Sequence, residues 1–370
     1  MNKTLNYVTY QNFPAETANS LQTISNIRYL LDENVKIKLY FPLREINSSS
    51  DLMTLQKFYS FKEEFEVVGI NHKFPFGKIK FLEGLWFHIS HLLWSRNTIK
   101  AFFKNDIENT FLTRSDWVAY FLAKQGSKVV IECHQTSKLR NYIYKKLSKF
   151  ENVKFIFLNE NLLKNYNFLT NSIVLQNGVD NKLFDSVEEN KIRNKIIFVG
   201  NLARFNESRG LLSVLEWFQD YRLKNNYQLE IIGGNKNEVE IFKQKIQELK
   251  LESTIKVRSW ITDRIEIARE LKKSSFGLLI NTPYDKHSYY YTSPLKYFEY
   301  LYSELKVIAT NYPAHQTLPY IDFANLFSFD DKESFINALK VDKKNNYLNH
   351  SELKSITLEN RAKKIVEFIF

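Results

Sequence analysis

The chain has 370 residues, 44% apolar and 25% charged, a globular balance that excludes disorder and exceeds one ordinary core. Its formal charge of +11 favours an anionic partner (nucleic acid, anionic lipid or a phosphorylated substrate) unless the lysines serve only solubility. One cysteine, Cys133, excludes an internal disulfide and fits a reducing compartment.

The first strand is expected at "TLNYVTY" (4–10), followed by the loop "QNFPAETAN" and the helical pattern "SLQTISNIRYLLDE". "VKIKLYF" reads as the next strand, so the chain opens strand–loop–helix–strand, as doubly wound sheets do. Short strands recur at "EVVGI", "NTFLTR", "KVVIEC", "VKFIFLN" and "SIVLQNG", the last ending in the Asn-Gly turn of "QNGVD". The charged stretch 185–195, "DSVEENKIRNK", is the linker candidate. Beyond it strands and helices alternate again: "IIFVG", a helix around "GLLSVLEWFQDYRLK", "YQLEIIGG", "EVEIFKQKIQELK", "TIKVRSW", "RIEIARELKKS", "FGLLINT" and "KVIAT". Two Rossmann-like α/β domains are therefore expected, 1–185 and 186–351. The amphipathic helix within 352–370 is expected to pack back on the first.

The segment 72–104 is basic and aromatic. Either it is a core helix with polar ends, or Trp86, Phe87, Leu92, Leu93 and Trp94 enter a headgroup zone while Lys73, Lys78, Lys80, Arg96 and Lys100 meet anionic lipid. His88 and His91 share its i,i+3 face without a third ligand and read as interfacial. The start lacks a signal peptide's apolar core, and no run approaches the ~18 to 20 apolar residues of a membrane span, so a cytoplasmic chain is expected. Walker, G-x-S-x-G, H-E-x-x-H and Asp-x-Asp motifs are all missing, and no finger or basic heptad supports a nucleic-acid partner.

Chemistry concentrates in "YYYTSPLKYFEYLYSELKVIATNYP" (289–313). Thr292 or Ser293 is placed to cap a helix, with Pro294 at its first position, where a missing N–H costs nothing. Free first-turn amides and the dipole make such a start a phosphate site. Glu299, one to two turns in, suits a ribose diol. The same residues also fit a plain capped helix with a surface Glu.

This stretch resembles the "SP-x-K-x-x-EY…G-x-P-V-I-A" donor signature of family-four retaining sugar transferases of the GT-B fold. Further likenesses follow in family order. Residues 196–218 resemble "VGRL…KG…LI-A", and 174–184 resemble "V-I-P-N-G-V-D…F". Residues 113–135 resemble the strand–helix–strand that delivers Glu-x-His, and the stretch from Thr9 resembles the first loop and helix. Departures are clear: "G-R-L" is here Gly200-Asn201-Leu202, the "K-G" lysine is Arg209, and Arg204 lies between them. The first acid of the E-x7-E pair falls on Tyr291, which leaves Glu299 as the second.

The resemblance implies two domains facing across a cleft, and a metal-independent retaining transferase that uses a UDP- or GDP-linked sugar as substrate, with no cofactor. Arg209, Arg204, Lys296 and the amides around Ser293, Pro294 and Leu295 would stabilise the diphosphate, beside Gly200 and Asn201. Glu299 would hold the ribose, Arg258 to Trp260 the base, and Tyr291 would border the sugar. His134 would orient the sugar, with Asn12, Glu16, Asn19 and Arg114 on the acceptor side. Cys133 is assigned to packing. A glycan or polyprenyl-linked acceptor, peripheral contact with the inner face of the plasma membrane, and bacterial surface-polysaccharide or lipopolysaccharide assembly are expected by the same analogy. A nucleotide-sugar epimerase on this fold, or a non-catalytic two-domain binding module, remain alternatives.

Overall fold

The computed structural model describes residues 3–74, 83–203, 209–342 and 347–370. They form two compact units, one of residues up to Leu175 together with Ala362–Phe370, the other Gln176–Arg361.

In the first unit the strands are β1 (Lys3–Val8), β2 (Val35–Leu43), β3 (Glu66–Asn71), β4 (Thr110–Thr113), β5 (Lys128–Cys133), β6 (Val153–Phe157) and β7 (Ser172–Val174). They form a seven-stranded sheet in the order β3-β2-β1-β4-β5-β6-β7, parallel throughout. The chain winds outward from β1, then restarts at β4 on its other side, so the topological switch point lies between β1 and β4. The helix Ala18–Asp32 starts where Thr17 accepts the Ser20 amide, and buries Ile24, Ile27 and Leu30 at helical spacing.

The second unit carries β8 (Lys195–Val199), β9 (Gln228–Ile232), β10 (Ile255–Arg258), β11 (Phe276–Leu279), β12 (Lys306–Thr310) and β13 (Asn325–Phe327). Its six-stranded parallel sheet runs β10-β9-β8-β11-β12-β13, which puts the switch point between β8 and β11. Successive residues of a strand point to opposite faces. Ile196, Phe198, Leu229, Ile231 and Leu278 accordingly pack into one core, and Ile197, Val199, Ile232, Leu279 and Val307 into another. Both faces are covered, which is why these strands read as unbroken apolar runs.

Three expectations change. Residues 176–185 and 352–361, expected in or against the first domain, belong to the second unit. Hydrogen bonding explains this: Val179 and Thr357 form a backbone bridge, and the Arg361 Nε donates to the Gln176 carbonyl at 3.0 Å. The stretch 185–195 is no loose linker, because Lys191 donates to the Ser274 and Ser303 carbonyls at 3.1 and 2.6 Å, and Lys195 opens β8. The helix expected over 210–224 breaks into Leu211–Trp217 and Tyr221–Lys224, where Asp220 caps the second piece.

Candidate functional site

In open parallel sheets, ligands bind beyond the carboxyl ends of the strands at the switch point. In the second unit two glycines lie in close register at the ends of β8 and its neighbour β9. Gly200 follows β8 at φ +141°, and Gly233 follows β9 at φ +144°; both are backbones that L side chains rarely adopt. A Cβ on Gly233 would lie 2.0 Å from the Gly200 carbonyl oxygen, and one on Gly200 would lie 2.9 Å from the Lys296 Nζ. Bare backbone at both positions thus lets the Lys296 ammonium sit against the end of β8, 3.8 Å from the centre of the Phe198 ring.

Lys296 is carried by the helix Leu295–Tyr302, which is fixed from below by buried Tyr297, Phe298, Tyr300 and Leu301. Pro294 itself occupies the cap position and no side chain caps the helix, which corrects the expected cap at Thr292 or Ser293. Ser293 is otherwise engaged. Its Oγ lies 3.3 Å from both the Asn177 amide and the Gln176 Oε1, and its carbonyl accepts from the Asn177 side chain. The "QNG" turn therefore holds the helix entry in place, and within that first turn the Tyr297 amide donates to the Pro294 carbonyl at 3.1 Å.

Arg209 is nearly buried, has a left-handed backbone (φ +55°), and donates from Nη1 to the Asn281 Oδ1 at 3.0 Å. Asn281 lies just past β11, so Gly200, Arg209, Asn281 and Lys296 all belong to the region around the β8 and β11 ends. Asn201 is exposed beside Gly200. Arg204 lies outside the described residues.

Other expected donor-side groups are placed differently. Arg258 ends β10 with its Nε 2.9 Å from Glu230, and its terminal nitrogens 3.2 Å from Glu266 and 3.5 Å from Glu270. Lys195 joins the same cluster at 2.6 Å from Glu230 and 2.8 Å from Glu270. A guanidinium shared among three carboxylates is engaged in the fold, a pairing that was not expected of Arg258. The Trp260 amide donates to the Gly234 carbonyl at 3.2 Å, which keeps that residue beside the glycine turn. Glu299 is buried and pairs with Arg264, a partner not anticipated. Tyr291 is buried at the end of the helix Lys286–Tyr290.

The first unit assembles a second constellation near its own switch point. Arg114, just past β4, donates from Nε to the buried Glu132 at 3.1 Å and from Nη1 to the Asn19 carbonyl at 3.4 Å. Glu132 also faces the His134 Nε2 at 3.3 Å. Arg114, Asn19 and His134 are thus brought together by Glu132, the acid of the expected Glu-x-His, to which no role was assigned. Its signal was present: a carboxylate in the apolar run "VVIEC", two residues before His134 and so on the same face of the strand. Asn12 is buried; its Nδ2 donates to Glu45 at 2.9 Å and its Oδ1 accepts from the Ser48 hydroxyl, while Glu16 is exposed on the loop. Burial pushes the Cys133 thiol up to about 11, in keeping with packing.

The helix Glu83–Phe102 corrects part of the headgroup expectation. Leu85, Trp86 and Ile89 are exposed, as are Arg96 and Lys100, but Trp94 is buried and Leu92 and Leu93 are half-buried. His91 is also buried, stacked on Tyr10 at 4.4 Å, and burial lowers it to about 3. Lys78 and Lys80 lie outside the described residues. No helix among those described is long and apolar enough to cross a membrane. No group of three or more His, Cys, Asp or Glu among them could hold a metal ion.

No protein-family model and no curated protein matches the chain by sequence. Solved structures match by fold. A glycosyltransferase from Rickettsia africae ESF-5 has a TM-score of 0.68 at 15% identity, with 100% of this chain and 98% of that one covered. The chain has the GT-B fold. Among other GT-B structures, Anabaena Alr3699/HepE in complex with UDP and glucose matches with a TM-score of 0.65 at 11% identity, over 99% and 98% of the two chains. The lipopolysaccharide outer core galactosyltransferase WaaB matches with a TM-score of 0.63 at 13% identity, over 99% of each.

Proposed function

We propose that this chain is a metal-independent, retaining glycosyltransferase that moves a sugar from a UDP- or GDP-linked donor to a glycan or lipid-linked acceptor in surface-glycan assembly. One observation carries the reading: the Lys296 ammonium packs on bare glycine backbone at the β8 end, in the region where Arg209 is held by Asn281. Breaking the glycosidic bond places negative charge on the diphosphate, and fixed cations where that charge grows lower the barrier. In this proposal Lys296, Arg209 and the amides at Leu295 and Lys296 take the diphosphate. Asn201, beside Gly200, and Arg204, further along the sequence, add to them. Glu299 shares its carboxylate between Arg264 and the ribose, and Tyr291 borders the sugar. His134, backed by Glu132 and Arg114, serves the sugar and the acceptor.

The fold neighbour bound to UDP and glucose supports the donor class, and WaaB supports a surface-glycan setting. Leu85, Trp86 and Ile89, with Arg96 and Lys100 further along the same helix, support peripheral contact with anionic lipid on the cytoplasmic side.

The deciding experiment is a thermal-shift screen with UDP, GDP, ADP and CMP, followed by transfer assays with sugars of the nucleotide that binds. A ligand that binds only the native state must raise the melting temperature. Stabilisation by UDP or GDP, with transfer lost in Lys296→Met, supports the proposal. Indifference to all four nucleotides overturns it.

A further inference from the structure

We infer that Asn281 is a positioning residue that aims the Arg209 guanidinium at the donor diphosphate, an inference that rests on the proposed function. Asn281 is buried and is held from two directions. Its side-chain oxygen accepts Arg209 Nη1 at 3.0 Å, and its backbone carbonyl accepts the Tyr312 hydroxyl at 2.9 Å. Tyr312 is itself a fixed post. It is buried past the end of β12, and burial raises its pKa, so the phenol stays a hydrogen donor. Its ring stacks on His315 at 5.6 Å and meets Tyr289 at 4.9 Å. His315 in turn is fully buried, with Nδ1 2.7 Å from the Thr310 carbonyl. A continuous set of contacts thus runs from β12 through His315, Tyr312 and Asn281 to Arg209.

Arg209 needs such support. Its backbone sits in the left-handed region, and its side chain is long and rich in rotamers. The chemistry of the support matters as much as its position. A neutral carboxamide oxygen directs one guanidinium N–H and leaves the full positive charge for a phosphate. A carboxylate at the same place would hold the guanidinium at least as firmly, but would cancel the charge the diphosphate requires. The site thus calls for an uncharged acceptor at 281, a requirement that shape alone does not impose.

The test compares UDP and GDP affinity, measured by calorimetry, in the full chain and in Asn281→Ala, Asn281→Asp, Arg209→Ala and Arg209→Ala/Asn281→Ala. Each variant's melting curve confirms that it is folded. Arg209→Ala is expected to weaken the nucleotide that binds by about tenfold to hundredfold, the range of a charge-assisted hydrogen bond. Asn281→Ala should weaken it about threefold to thirtyfold, and should add less than about twofold once Arg209 is already Ala. Asn281→Asp, nearly isosteric, should bind worse than Asn281→Ala; a merely structural role would make it the milder change. Additive losses, or an aspartate variant that binds like the parent, overturn the inference while leaving the site reading intact. If neither nucleotide binds the parent chain, or Arg209→Ala binds as tightly as it does, the site reading falls and this inference falls with it.

Discussion

Gly200→Ala tests the strand-end geometry most directly. At φ +141° an alanine costs about 1–3 kcal/mol in backbone strain. For a unit of this size that lowers the melting temperature by about 2–12 °C. The added methyl would also stand 2.9 Å from the Lys296 Nζ, against the ~3.5–4.0 Å of an ordinary contact. The ammonium must retreat by about 0.5–1 Å, and a misplacement of that order costs up to about a hundredfold in rate. The assay pairs thermal melts, with and without UDP or GDP, with transfer kinetics in Gly200→Ala, Lys296→Met and the double variant. If the methyl acts through the ammonium, it should remove little further rate once Lys296 is Met. A Gly200→Ala protein that melts and turns over like the parent would refute the reasoning outright.

Lys195→Met leaves Glu230 with Arg258, and Glu270 with Arg258 and Lys273 at 3.5 and 3.6 Å, and should cost about 1.5–3 kcal/mol in urea unfolding; a change under about 0.5 kcal/mol would show that the cluster is not coupled to folding. Burial holds His315 near 4, below the ordinary 6.5. Between those values the unfolded chain binds the extra proton, so stability should fall as pH drops from about 6.5 towards 4, by on the order of 3 kcal/mol for this group. His315→Gln should lose less between pH 7 and 4.5 in the same unfolding assay, and an identical loss would place the acid sensitivity elsewhere. Ser293→Ala should cost about 1 kcal/mol of stability through its contacts with Gln176 and Asn177, yet leave nucleotide affinity within about twofold. A large loss of affinity would instead return Ser293 to the phosphate.

The central strands were legible because they are buried on both faces, so that "IIFVG" and "KVVIEC" stand out as apolar runs without alternation. The helix at Leu295–Tyr302 was legible from Pro294 and its aromatic spacing. Pairing was not. Arg258 draws its carboxylates from β9 and from the helix Arg264–Lys272, and a linear reading gives no reason to prefer them over a nucleobase. Glu299 meeting Arg264 is the same case. Domain edges failed for a related reason. The charged stretch 185–195 looked detachable because its polar residues serve carbonyls far away in sequence, at Ser274 and Ser303.

The closing helix Leu358–Ile369 has an unexpected bearing on biogenesis. Its residues from Ala362 onward return to the first unit, where Lys154 donates to the Phe368 carbonyl at 2.6 Å and Ile365 and Val366 are buried. The second unit is one uninterrupted stretch, whereas the first lacks a piece of its core until residues 362–370 have been synthesised. A chain stopped after Arg361 should therefore protect 176–361 against protease but leave the earlier residues easily cut. The half that is begun first is the half that is finished last.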